Sequence, residues 1–233
     1  MSLSDFWHRL TGNSAQAVPK PFAVQKACEV PLLAIDLELT SLDPKVAKIL
    51  SIGWVAGERN NVDLSSAYYK VIRAEGDLQQ SPVIHGLTDD DIRKGEHVKQ
   101  AVEALTPYID SHVWLFHNTG LDIGVLNQVL GKLGMHAPTV VTLDTLKLAV
   151  YQLQKRHQVL PPNSAILSVC RDRLGLPAAP AHNALDDALA TLTLWYAQLY
   201  TLDPHGRMTV GDLQHTGALQ VVSLGNAANQ QAS

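Results

Sequence analysis

Apolar and polar positions along the chain fall into two regimes. From Pro31, PLLAI is a continuous apolar run, the pattern of a strand covered on both faces. Two further strand-like segments follow at 48–55 and 67–72, with Gly57 and Asn60–Asn61 as punctuation. Three strands in sequence predict an antiparallel meander. The period then becomes helical. Thr88 with Asp91 three residues on reads as a capping box, and Val98, Val102 and Leu105, then Tyr108 and Ile109, recur at helical spacing. Residues 113–116 form a short apolar strand, and the helix after it carries Leu121, Val125, Leu126, Val129, Leu130 and Leu133 on one face. Gly134 and Pro138 stop that helix. A strand over 139–143 leads into a helix over 145–154. Residues 163–174 read as a helix closed by Gly175, and 184–200 as a longer one.

Strands first and strand–helix units afterwards predict an α/β fold, a mixed sheet with helices packed on it. Residues 1–30 mix Ser, Gly, Pro and Lys with no sustained period, and we expect an N-terminal extension there with a short helix around 6–10. Residues 31–200 make the folded domain. Residues 201–233, rich in Gly, Gln, Asn and Ser, are expected to be a weakly ordered tail.

Composition narrows the classes. With 46% hydrophobic and 17% charged residues the chain is too apolar for global disorder. No apolar run approaches the roughly 18 residues of a membrane span, and MSLSDFWHRL lacks a signal-peptide core, so the expected setting is cytoplasmic. Cys28 and Cys170 show no metal-ligand spacing, which argues against a disulfide framework or structural zinc. A net charge of −4 provides no general basic coat, so a nucleic acid would be held locally by a groove, a few side chains or a metal.

Three acidic signals carry the candidate chemistry. Asp36, Glu38 and Thr40 end the PLLAI strand and, two apart, share one face, while Leu37 and Leu39 point the other way. Acids at the end of a buried strand need a compensating cation. His117-Asn118-Thr119-Gly120-Leu121-Asp122 follows the 113–116 strand, where an acid in a first turn also suits the helix dipole. His182-Asn183-Ala184-Leu185-Asp186-Asp187 opens the last long helix, and spacing leaves open which of the two aspartates acts. Asp144 reads as a helix N-cap. Lys155-Arg156-His157, Arg171 and Arg173 could contact a nucleic-acid backbone, but a solvated helix-end charge group is the preferred reading.

Together, in this order and at these separations, the three signals resemble the DEDDh 3′→5′ exonucleases, the superfamily of the proofreading epsilon subunit of bacterial DNA polymerase III. Ile84-His85-Gly86-Leu87-Thr88 and Thr142-Leu143-Asp144-Thr145 add to the likeness, which runs from about Pro31 to Tyr200. The resemblance implies a ribonuclease-H-like mixed sheet with helices on both faces. It implies Asp36, Glu38, Asp122 and Asp187 as ligands of two Mg²⁺ or Mn²⁺ ions and His182 as the general base, and it selects Asp187 over Asp186. It also implies that Thr40, the backbone near Leu39, His85 and Asn118 contact the terminal nucleotide. Two positions depart from the family pattern: Leu39-Thr40-Ser41 replaces the frequent Thr-Thr-Gly, and Thr119-Gly120-Leu121 replaces the commoner Ala-x-Phe after His-Asn.

Such a site suits phosphodiester hydrolysis. Paired divalent cations activate a water and absorb charge on the phosphoryl group, and all-oxygen ligands favour Mg²⁺ or Mn²⁺ over zinc. The expected substrate is the 3′ end of single-stranded or frayed nucleic acid, DNA preferred, with nucleoside 5′-monophosphates released in proofreading or repair. An RNA-trimming or oligoribonucleotide exonuclease is the nearest rival, and a non-catalytic polymerase-binding module the rival of another class. A DNA polymerase subunit is the expected protein partner, reached through the tail, and no membrane is expected.

Overall fold

Strand β1 (Leu32–Leu39) organises the sheet by dividing its side chains between two cores. Leu32 and Ala34 point into one apolar cluster, and Leu33, Ile35 and Leu37 into the other. The structure, a computed structural model, describes residues 16–76, 78, 85–135, 138–156, 160–180 and 182–224. Strands β2 (Ile49–Glu58) and β3 (Asn61–Val71) complete the meander through a tight turn in which Arg59 and Asn60 both take positive φ, 53° and 62°. Two successive positive φ values match the twist of a hairpin.

Helix α1 (Lys20–Ala23) precedes the meander in the chain, and α2 (Asp89–Lys94) and α3 (Val98–Glu103) follow it. The α2 capping box is formed: Thr88 Oγ1 accepts from the Asp91 N–H and the Asp91 carboxylate accepts from the Thr88 N–H. The second half runs β4 (Val113–Phe116), α4 (Thr119–Leu133), β5 (Thr139–Asp144), α5 (Thr145–Lys155), α6 (Leu167–Arg173), α7 (Ala184–Leu202) and β6 (Leu219–Ser223). The sheet order is β3-β2-β1-β4-β5-β6, with β1, β4 and β5 parallel and the remaining pairs antiparallel.

Each face carries helices. Ala188, Leu192, Trp195 and Leu199 of α7 pack on the Leu32–Ala34 side, and Ile123, Val125, Leu126 and Leu130 of α4 on the Leu33–Ile35 side. A fully buried Leu or Ile contributes roughly 1.5–3 kcal/mol, so these two clusters hold the layers together. The expected α/β mixed sheet with helices on both faces is what forms. Among the described residues, no helix is long and apolar enough to cross a membrane.

The chain ends differ from expectation. Residues 16–30 are no loose extension: Phe22, Ala27 and Val30 enter the α7-side core. The described residues after Thr201, through Leu224, belong to the folded domain. A 3-10 helix (Gly211–Thr216) buries Leu213, and β6 pairs antiparallel with β5 from Leu219 to Ser223. The two ends also meet, Ala27 N–H donating to Met208 O and Val210 N–H to Gln25 O. A polar composition concealed this because a few apolar residues, Val210, Leu213, Ala218, Leu219 and Leu224, supply the buried side. The helix expected over 163–174 begins only at Leu167, and the short helix expected around 6–10 lies outside the described residues.

Candidate active site

Asp36 and Glu38 belong to the β1 row that begins with Leu32 and Ala34 and faces α7. At the far end of that row stands the first turn of α7, which carries Asp187. One carboxylate oxygen from each of Asp36, Glu38 and Asp187 lies within 4.8 Å of the others. Asp187 joins this cluster and Asp186 does not. The fourth acid, Asp122, comes from the opposite layer. β4 pairs with β1 only from Leu32 to Ala34, so among the described residues no strand pairs with the last residues of β1 on that side. Into this opening α4 presents Asp122, whose carboxylate takes the Leu37 N–H and raises the charge density at Asp36.

A glycine makes the approach of α7 possible. Gly53 on β2 pairs with Asp36, and a Cβ there would stand 2.7 Å from the Ala184 carbonyl oxygen and closer still to the Leu185 nitrogen. A glycine in the middle of the largely apolar run ILSIGWVA was the readable sign of such a close approach.

The cluster is starved of positive charge. Burial above all, then the Asp122, Glu38 and Asp187 charges, hold the Asp36 carboxyl well above the ordinary carboxylate range. Burial does the same to Asp122, with Asp144 and Glu38 adding, while N–H groups of its own backbone and of Leu37 oppose. Asp187 is pushed up to about 6 by burial and then by Glu38, against the His182 N–H. Among the described residues none of the four forms an ion pair with Lys or Arg, and Glu38 Oε1 is buried without a hydrogen-bond partner. An orphaned carboxylate oxygen beside three other acids fits a divalent cation with oxygen ligands.

His182 sits at the rim, exposed, in the left-handed region at φ 67°. Its backbone N–H donates to Asp187 Oδ2 at 3.0 Å, and its ring meets that of His85 edge-on at 6.0 Å. His85 Nδ1 stands 2.7 Å from Glu38 Oε2. This contact, helped by the Leu39 carbonyl, makes His85 protonate more readily than a free imidazole despite its burial. Leu39 packs with the α4-side core, so its side chain faces away from the acids. Thr40 Oγ1 accepts from the Lys48 N–H at 3.0 Å, closing the mouth of the β1–β2 ladder. Asn118 is exposed just before α4, and Ile84 lies outside the described residues.

Arg171 departs from its expected place in a solvated charge group. It is buried, and its guanidinium donates to the carbonyls of Ala190 (2.7 Å) and Pro177 (2.9 Å) and to Thr193 Oγ1 (2.6 Å). It thereby ties α7 to the segment leading toward His182. Nothing local in RDRLG distinguishes it from Arg173, which bonds Ser164 O at the surface.

A family model described as RNase_T exonuclease matches residues 33–195, well over half the chain. The chain belongs to this exonuclease family. Its curated relatives include the PolC-type DNA polymerase III of Thermotoga petrophila, 27% identical over 160 residues, 68% of this exonuclease and 11% of that protein. The epsilon subunit of DNA polymerase III from Haemophilus influenzae is 29% identical over 107 residues, 45% of this exonuclease and 40% of that subunit. The chain thus spans only about 11% of the PolC-type relative's length. Among solved structures it is similar to the nuclease domain of 3′hExo, a DEDDh family member bound to rAMP. That match has a TM-score of 0.60 at 14% identity and covers 79% of this chain and 98% of the other. E. coli exonuclease I in complex with a dT13 oligonucleotide gives 0.60 at 18% identity, covering 76% and 42%. These structures share the fold described above.

Proposed function

We propose that this exonuclease degrades in the 3′→5′ direction, releasing nucleoside 5′-monophosphates from the 3′ end of single-stranded or frayed DNA in proofreading or repair. The observation that carries the reading is the convergence of Asp36, Glu38 and Asp187 within 4.8 Å, with Asp122 beside them, in a chain of an exonuclease family. Asp36, Glu38, Asp122 and Asp187 would hold two Mg²⁺ or Mn²⁺ ions, which when bound lower the pKa of a coordinated water and stabilise charge on the phosphoryl oxygens. His182, at the rim and tied by its N–H to Asp187, takes the proton of the attacking water on an imidazole nitrogen. Thr40, the Leu39 backbone, His85 and Asn118 line the place of the terminal nucleotide.

DNA is favoured because the curated relatives are DNA polymerase III proteins, and a cytoplasmic setting is part of the same proposal. The epsilon relative likewise supports a polymerase subunit as partner. Residues up to Leu224 are committed to the core, so a tether would have to lie beyond them.

The test uses matched single-stranded DNA and RNA, labelled at either end, with Mg²⁺, Mn²⁺ or EDTA. The expected result is a ladder shortening from the 3′ end on DNA and immediate loss of a 3′ label as mononucleotide, both abolished by EDTA. Faster loss on RNA would replace DNA by RNA trimming. Intact substrates under all metal conditions would leave a binding module.

A further inference from the structure

We propose that Asp144 is a positioning residue for the acidic site, fixing where Asp122 stands by capping two helices at once. Asp144 ends β5 and is 1% exposed. As the N-cap of α5 it accepts from the Leu146 and Lys147 N–H groups at 2.9 and 3.1 Å. The same carboxylate reaches the start of α4, accepting from the Thr119 N–H at 3.0 Å and the Asn118 N–H at 3.3 Å.

α4 has no cap of its own. Asn118 takes φ 85°, ψ 59° and its side chain makes no capping bond, so the two N–H groups that open the helix depend on Asp144. Asp122 lies in that first turn, three residues beyond Thr119. The hold on α4 is therefore the hold on one of the four acids. The joint is stiffened from behind: Thr145 Oγ1 donates to Phe116 O at 3.1 Å and lies 2.8 Å from His117 Nδ1, and Gln198 of α7 donates to Thr145 O at 2.9 Å. One residue outside the acidic cluster thus connects β5, α5 and α4.

The inference rests on the reading of Asp122 as a cation ligand. Asp144→Ser separates the two roles, because a serine still caps its own helix but is too short to reach Thr119. The expected result is a folded protein whose apparent Kd for Mn²⁺, read without substrate by the EPR signal of free Mn²⁺, rises about tenfold or more. Turnover lost at low Mn²⁺ should return as Mn²⁺ is raised. Equal Mn²⁺ affinity in Asp144→Ser and the parent overturns the inference. A parent that binds no Mn²⁺ overturns the reading of the site instead. If Asp144→Ser does not fold, amide exchange in the parent decides. Thr119 protected as well as Leu146 and Lys147 supports the double cap, and fast exchange at Thr119 beside a protected Leu146 overturns it.

Discussion

Gly53 stands opposite Asp36 in the β1–β2 ladder, and the backbone of Ala184 and Leu185 rests directly on it. The acid and the glycine are one device: the missing side chain lets α7 descend far enough for Asp187 to meet Asp36. Gly53→Ala should force the first turn of α7 away, separating Asp187 from its partners. We expect turnover to fall at least about 100-fold, with a stability loss of about 1–3 kcal/mol from overpacking. Turnover together with a urea melt would check this, and normal turnover would count against the close approach.

Removing a charge from the cluster should stabilise the metal-free protein even as it destroys activity. Burial first, and three neighbouring acids after it, hold the Asp36 carboxyl well above the ordinary carboxylate range, so ionising it is costly. Asp36→Asn relieves the repulsion at nearly constant shape. In EDTA its melting temperature should rise by a few degrees, on the order of 1 kcal/mol, while turnover with Mg²⁺ is lost. A variant that melts lower than the parent in EDTA would contradict the repulsion.

The pH dependence of that same instability has a definite sign. Asp187 is pushed up to about 6 from an ordinary 3.8, chiefly by burial. An acid raised in the folded state keeps its proton longer there than in the unfolded chain, so stability falls as pH rises between those two values. Metal-free parent protein should therefore lose stability relative to Asp187→Asn from about pH 4 to about pH 6 and remain lower above it. Added Mn²⁺ should abolish the difference. Parallel melting curves against pH would refute it.

His182 touches Asp187 through its backbone, so its side chain can be removed without cutting that bond. His182→Ala should lower the rate by roughly 10²–10⁴ while Mn²⁺ affinity stays near that of the parent. Loss of both together would make His182 a structural element of the cluster instead of a base.

The C-terminal segment should prove indispensable for folding. Ending the chain at Thr201 removes Val210, Leu213, Leu219 and Leu224 from the core, each worth roughly 1.5–3 kcal/mol. Their sum is comparable to the whole stability of a typical domain. The truncated chain should show no cooperative thermal transition. A sharp melt close to the parent's would show that β6 is dispensable.

Local pattern was enough to read several features. The alternation of β1 put Asp36 and Glu38 on one face, the Thr88–Asp91 box started α2, and Gly134 ended α4 in a left-handed turn. Each depends on residues within a few positions of one another, where period and capping chemistry act. The mixed sheet followed from the change of period midway along the chain.

Tertiary structure alone decided the rest. The sequence set out four acids on three separate elements, but their meeting depends on β4 ending early beside β1 and on a glycine beneath α7. Arg171 and Arg173 sit two apart on one short helix, yet only Arg171 is buried against three acceptors. The polar segment from 201 to 224 became part of the sheet because β5 offered it an unpaired edge. Backbone groups of distant strands and helices supply these partners, and no local run of side chains encodes which strand will lie alongside.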